Sequence, residues 1–432
     1  MRKFISFGKY NKLYKYIWIY VIIRIINDYL FSETFPSQIK PNIFDSHNYP
    51  PNILVQIFFN YLATFIFSIF LNVYQKSIIN EVEEKRDESP IKSDKSQKYE
   101  LIFDYSVPVI KLKAVFFTAI LSIISIELIN VITAVGFWSI LFWVFDLFFV
   151  AYTNLIMFEN PIFSHKKCAI IFILIFSTLF KFLSTFEYIF DDNYNLFYKN
   201  HIILIPIISI SYLFLSLIRF YSLCKIKWLL DYKFIPLRIF FIIYNFFGTI
   251  ILLIPCLIAS YVRCADKIKL NDIDLLCLVK KENGNNTEYY FDSFSYYFEQ
   301  IWKKDRDLGL NILYLLFFLI QLLLNALRLL YSILIIRHLN PEFYLCSFGI
   351  YFFIRRFVGL IKALIDNNNI KIEVYNTIAE IVSLISIMVY LELIELNICN
   401  LNYNLKKNIE NRSIDDYKIY ELNEEIDDAT NL

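Results

Sequence analysis

Charged and amide side chains recur inside stretches of this sequence that are otherwise apolar, and their spacing decides what each could do. Arg24 and Asp28 lie four residues apart, hence on one helical face. They can neutralise each other, or leave Arg24 to bind an anion in an internal cavity. Glu127 and Asp146 each sit well inside apolar sequence. A carboxyl group there is either kept neutral by burial or ionised beside a cation, so structural hydrogen bonding and a part in substrate or proton binding both stand open. Gln321, Asn325 and Arg328 follow one another at helical spacing and form a polar stripe on a Leu-rich segment. Such a stripe lines a pathway or joins helices by hydrogen bonds; Arg328 is the member that tests which. Tyr390 closes the last apolar segment together with Glu392 and Glu395, which share a face. These eight residues, Arg24, Asp28, Glu127, Asp146, Gln321, Asn325, Arg328 and Tyr390, form the candidate substrate-binding set. Arg355 and Arg356 point about 100° apart on a helix, so at most one faces a cavity. Lys181, Arg219 and Glu187 are expected near helix ends, where long side chains reach the membrane interface.

No catalytic arrangement accompanies them. The chain has no Gly-rich phosphate loop, no HExxH and no nucleophile elbow, and Asp191-Asp192 reads as a solvated turn. Its seven cysteines show no CxxC spacing and its four histidines fall near helix ends, so neither a metal site nor a cofactor is expected. An enzyme is not expected, nor a nucleic-acid partner.

The elements that must position these residues are apolar spans. At 57% hydrophobic residues over 432 positions and a mean hydropathy of +0.49, the chain exceeds what a soluble domain of this size carries. A bilayer's hydrocarbon core takes about 20 apolar residues as a helix. Ten stretches reach or approach that length: Leu13 to Phe31, Ile53 to Tyr74, Ala114 to Ile132, Ala134 to Phe158, Cys168 to Phe190, Ile202 to Leu223, Leu237 to Tyr261, Leu308 to Ile335, Phe343 to Ile365 and Thr377 to Ile398. The third and fourth form one apolar run, Ala114 to Phe158. As a single helix it would be about 68 Å long, so it must fold back, near Thr133 to Gly136. A charge at the centre of a span costs about 2.5 to 3.5 kcal/mol. The charges kept at that cost are expected to face a cavity or a partner. The fold class is therefore all-α and polytopic. The first apolar run contains Arg24 and Asp28 and lacks a small-residue cleavage site, so it is expected to be retained as the first helix.

Loop charge orients the spans, because Lys and Arg favour the cytoplasmic side. Arg2, Lys3, Lys9, Lys12 and Lys15 precede the first span, whereas Ser32 to Asn52 carries only Lys40; Gln75 to Lys113 and Lys225 to Arg238 are basic again. Both termini are expected in the cytoplasm. The loop Val262 to Asp307 then falls on the other side despite its own basic residues, as long loops can. It carries a glycosylation acceptor at Asn285, in Asn285-Asn286-Thr287, and Cys264 and Cys277, which could form a disulfide in an oxidising lumen. Chance accounts equally for sequons in a chain this rich in Asn, and Asn411 starts a second. If the orientation is right, Asn285 and Asn411 lie on opposite sides and only one site is glycosylated. The chain divides into 1–224, five helices plus the sixth with a mobile cytoplasmic loop at about 78–100; 225–411, helices seven to ten; and an acidic disordered tail at 412–432.

Three stretches carry a resemblance: KIKWLLDYKFIPLRIFFIIYNFFGTI at Lys225 to Ile250, LRLLYSILIIRHLNPEFYLCSFGIYFFIRR at Leu327 to Arg356, and AEIVSLISIMVYLELIELNICNLNYNLKKNI at Ala379 to Ile409. They are similar to the drug/metabolite transporter superfamily, which includes nucleotide-sugar carriers and a chloroquine-resistance-transporter-like group. The first resembles its basic loop into a Gly-containing seventh helix, and the second its helix eight, Pro-containing turn and helix nine. The third resembles its last helix, and also uncharacterised multi-pass proteins of lower eukaryotes. The resemblance implies ten helices in two inverted five-helix repeats, a midplane cavity and alternating access; the large loop with paired Cys resembles the chloroquine-resistance-transporter-like group. Independently of it, five spans on either side of Leu223 are forced into opposite orientations by the odd number.

The expected function is secondary transport of a small polar or organic solute, open to proton coupling, in contact with membrane lipid. A receptor-like or scaffolding membrane protein whose charges pair with one another is the rival reading, and a lipid scramblase or channel is a third.

Overall fold

A computed structural model of the chain describes residues 5–7, 12–34, 53–83, 99–102, 105–135, 145–159, 162–190, 204–233, 235–261, 269–270, 273–274, 279–283, 286–290, 307–367 and 370–396, with a few single positions besides. Ten helical stretches occur among these residues, one on each apolar segment. They are α1 (Lys15–Thr34), α2 (Ile53–Glu83), α3 (Val109–Val135), α4 (Asp146–Phe158), α5 (Ser164–Phe172 and Thr178–Phe190, joined through a π-helical turn at Ile173–Ser177), α6 (Leu204–Asp231), α7 (Leu237–Tyr261), α8 (Leu308–His338), α9 (Pro341–Asp366) and α10 (Ile370–Tyr390). Helix is the form that satisfies every backbone polar group within one apolar segment. Five of them, α2, α5, α7, α8 and α10, are long and apolar enough to cross a membrane. The surface agrees: Phe70, Ile210, Ile254 and Ile365 are each at least 60% exposed, and many large apolar side chains beside them face outward. Soluble monomers rarely show so much. An integral, multi-pass membrane protein fits both observations.

Local chemistry sets several helix ends. The Asp307 carboxylate accepts from the Gly309 N–H at 3.1 Å and caps α8. The α8–α9 junction is tight. Lys227 Nζ, on α6, lies 3.2 to 3.4 Å from the carbonyls of Ile336, Arg337 and Leu339 and 2.8 Å from Asp231, so one ammonium satisfies the carbonyl end of α8. Pro341 opens α9, where its missing N–H costs nothing. Asn367 closes it in a left-handed conformation, φ 49°.

Several boundaries differ from the sequence expectation, among them the start of α3 at Val109 and of α10 at Ile370. α2 runs to Glu83, well past Tyr74, so the start of the expected mobile loop at 78 is helical; residues 84–98 lie outside the described set. Gln, Lys, Ile and Glu there are helix-tolerant without being apolar. α4 is described from Asp146, and residues 136–144 of the expected span lie outside the described set. α6 continues to Asp231. α10 stops at Tyr390, eight residues before Ile398. Glu392 then takes a left-handed conformation, φ 60°, and Ile394–Leu396 forms a strand antiparallel to Ile5–Phe7, with Ser6 opposite Glu395. Glu392 and Glu395 therefore do not share a helical face. Further antiparallel pairs join Tyr99–Ile102 to Tyr105–Pro108, Lys269–Leu270 to Ile273–Asp274 and Val279–Asn283 to Asn286–Tyr290. These short pairs lie outside a body that is helical throughout.

Helices distant in sequence pack together. α1 lies against α8 and α9, α2 against α7 and α8, α3 against α6 and α7, α4 against α6 and α9, and α5 against α10. α9 also packs along α10, and α8 touches α6 and α9. The α2–α7 crossing is the closest fitted. Gly248 sits there, and a Cβ at that position would overlap the Tyr61 ring. Tyr244 stacks near Tyr61 and hydrogen-bonds Ser122 of α3 at 2.7 Å. Small residues let membrane helices approach this closely.

Candidate functional site

The middle of α1, α6, α8 and α9 brings three arginines to one group of aromatic rings. Arg24 is at the middle of α1, and its guanidinium carbon lies 4.1 Å from the Phe348 ring centre, 4.0 Å from Tyr351 and 5.5 Å from Phe352, all on α9. Its Nη1 donates to the Tyr20 hydroxyl at 3.3 Å, while its Nε is buried with no hydrogen-bond partner. From α6, Arg219 lies 4.9 Å from that Phe348 ring and 5.5 Å from Phe220. Arg328, on α8, acts electrostatically on the fully buried Tyr20. Tyr20, Tyr344 and Phe348 pack edge to face or tilted, with centroids 4.8 to 6.1 Å apart. All three arginines are half-buried, and none forms an ion pair among the described residues. Ring faces hold a cation with about 0.5 to 2 kcal/mol and leave its charge uncancelled.

One carboxylate that acts on this group is Asp146. It is buried at the start of α4, accepts from Ser216 Oγ of α6 at 2.5 Å and interacts electrostatically with Arg219, one turn of α6 further on. An acidic group at a helix start is favoured by the exposed N–H groups there. Asp28 is half-buried one turn beyond Arg24, but the two form no ion pair; the rings of α9 take the place Asp28 was expected to fill.

A second polar centre joins both sets of helices. Glu342, buried in the first turn of α9, has its Oε1 2.7 Å from Asn154 Nδ2 of α4 and 2.8 Å from the Tyr390 hydroxyl of α10, both of which donate to it. Cys224 of α6 donates to Asn154 Oδ1 at 3.2 Å and to Thr153 at 3.4 Å. Tyr390 is thus placed in a network, through a partner, Glu342, that the sequence reading left unnamed.

The third centre lies between α5 and α10. Lys181 Nζ is 2.6 Å from Glu380 Oε1, with side chains 2% and 1% exposed. One turn away Ser177 and Ser383 share a hydrogen bond of 2.7 Å, and Ser177 also donates to the Ala379 carbonyl. Arg356 of α9 pairs with Glu373 of α10 at 3.5 Å and acts electrostatically on Lys181, while at the other end of α5 His165 Nε2 lies 3.2 Å from Glu392. The π-helical turn Ile173–Ser177 carries Ser177 to this contact. Widened turns of this kind often mark functional sites.

Of the polar stripe on α8, Asn325 donates to Asn60 of α2 at 3.0 Å and so joins two helices, Gln321 is buried, and Arg328 faces Tyr20. At Asn325 the stripe joins helices. Arg355 is exposed and donates to Tyr351 at 3.4 Å, while its neighbour Arg356 turns to α10. Two corrections concern residues expected at helix ends. Lys181 is enclosed and paired, and Arg219 is in the interior of α6 among aromatic rings. Buried Ser177, Lys181 and Ser184 on α5, and Tyr212, Ser216 and Arg219 on α6, each make a helical polar stripe that the sequence already contains. Glu127 falls on α3, its side chain outside the described residues, as are Cys264, Cys277, Asn285 and the tail. Among the described residues no cluster of His, Cys, Asp and Glu could hold a metal ion. No protein-family model matches the chain, and no curated protein matches it.

Proposed function

We propose that the chain is a secondary transporter moving a small polar or organic solute across a membrane by alternating access, with α1–α5 and α6–α10 as two inverted five-helix repeats. The pattern of helix packing carries this reading. When every helix is replaced by the one five places away, the pair α1 and α8 becomes α6 and α3, α1 and α9 becomes α6 and α4, and α2 and α8 becomes α7 and α3. All six are packed pairs. The pairs α2 and α7, α4 and α9, and α5 and α10 map onto themselves, as pairs straddling a twofold axis do. The packing of α6, α8, α9 and α10 among themselves has no equally close counterpart in the first five. An odd number of crossings in each repeat puts such an axis in the membrane plane.

Under this reading the arginine cluster and the Glu342 network both lie where helices of the two repeats meet, which is where an alternating-access site belongs. Ten crossings bring both ends of the chain to one side, in keeping with the pairing of Ile5–Phe7 with Ile394–Leu396. The basic loops make that side cytoplasmic.

Uptake by purified protein in liposomes tests the proposal, with a labelled metabolite extract as the solute pool. The wild type should accumulate a defined solute above empty liposomes, and Arg328→Gln and Asp146→Asn should lower its rate at least tenfold, about 1.4 kcal/mol. Folded protein that moves no solute would leave the scaffold reading in its place. Equilibration of fluorescent lipid between leaflets would favour the scramblase.

A further inference from the structure

The transported solute's charge can be argued from the central cluster. Arg24 and Arg219 reach the Phe348 ring from two different helices, at 4.1 and 4.9 Å, so their guanidinium carbons are within about 9 Å of each other, the sum of those distances. An oxyanion accepting charge-assisted hydrogen bonds of about 2.8 Å from two guanidinium groups needs a separation of that order. Both groups are half-accessible, and the Arg24 Nε is buried without a partner, which leaves donors unspent. Arg328 adds a third positive charge near Tyr20, and Asp146, held by Ser216, is the one carboxylate shown to act on the cluster. Tyr20, Tyr344, Phe348 and Tyr351 supply walls of low polarity. In such surroundings uncompensated cations attract an anion far more strongly than in water.

We propose that Arg24 and Arg219 together bind an oxyanion, a phosphate or carboxylate group carried by a small organic solute. The assignment rests on the transport reading for its use, while the binding can be measured apart from it. The two arginines come from α1 and α6, the helices that exchange with each other in the five-place substitution, so a solute held between them touches both repeats at once. Guanidinium groups, with their fixed fork of donors, recognise phosphate and carboxylate where a lysine would offer only a point charge.

Full-length protein in phosphatidylcholine nanodiscs, followed by tryptophan fluorescence during heating, provides the test. The probes are phenyl phosphate and benzoate, with benzyl alcohol and benzylammonium as neutral and cationic counterparts. Both anions should raise the unfolding midpoint saturably, and the other two should not. Arg24→Gln and Arg219→Gln should each weaken phenyl phosphate binding about tenfold or more, with a smaller loss for Arg24→Lys and Arg219→Lys, whose midpoints without ligand report folding. Equal stabilisation by all four probes, or unchanged affinity in the Gln variants, would overturn the assignment. So would loss of the phenyl phosphate response when phosphatidylglycerol is added, since a lipid headgroup is then the occupant. An anion response without uptake in liposomes removes the transporter and keeps the site; uptake of neutral or cationic solutes without an anion response does the reverse.

Discussion

The Lys181 ammonium is buried 2.6 Å from the Glu380 carboxylate, and both side chains are almost fully enclosed. Burying two charges costs several kcal/mol apiece, and the attraction between them only offsets it. Removing one partner is therefore far worse than removing both. Lys181→Met alone should destabilise the fold by about 3 to 5 kcal/mol, whereas Lys181→Met with Glu380→Met should fall within about 1 to 2 kcal/mol of the parent. Denaturation in detergent micelles measures both, and additive losses would show the pair to be uncoupled. At this scale the sequence was read well where a polar residue interrupted an apolar run and poorly where length was taken for reach. Lys181 was assigned to a helix end because lysine can extend to the interface, yet its neighbours one turn either way, Ser177 and Ser184, are buried and already mark an inward stripe. Arg219 was misplaced for the same reason. No spacing in α1 indicates that Arg24 would settle on rings of α9, because its partners lie more than three hundred residues away.

Among the elements, the α2–α7 crossing has the least room to spare. Gly248→Ala places a methyl group on the Tyr61 ring, and overpacking of that kind costs about 1 to 3 kcal/mol. Tyr61→Leu combined with Gly248→Ala should recover part of the loss; a thermal melt of the three variants decides it, and an unaffected single variant would mean the helices stand further apart. Helix existence was legible where apolar length is greatest, and five helices among the described residues are long and apolar enough to cross a membrane. Helix ends were not, since they depend on what satisfies the last carbonyls. The stop at Tyr390 rests on the left-handed Glu392 and its contact with His165, a residue of α5 that no local pattern connects to it.

For the molecule as a whole, the strand pairing of Ile5–Phe7 with Ile394–Leu396 ties its two ends together. Ser6 and Glu395 are opposite one another there, so Ser6→Cys with Glu395→Cys should cross-link on oxidation and keep two fragments joined after cleavage between α7 and α8. A chain that falls apart without reductant would contradict the register. Pairings of such separation were beyond sequence reading, although parity had put both ends on one side. The packing order has a further bearing, on how the protein is made. Among the described residues, every close helix partner of α1–α5 belongs to α6–α10. A ribosome that has delivered the first five helices has therefore delivered a set with almost nothing to hold on to, waiting in the bilayer with Arg24, Lys181 and Asp146 unmatched. Membrane helices insert first and associate afterwards, so assembly must stall until the remaining helices arrive. Insertion machinery that shelters polar helices is a requirement for this chain. By the same token, 1–197 and 198–432, divided between the end of α5 at Phe190 and the start of α6 at Leu204, should be degraded when expressed alone and recovered when expressed together.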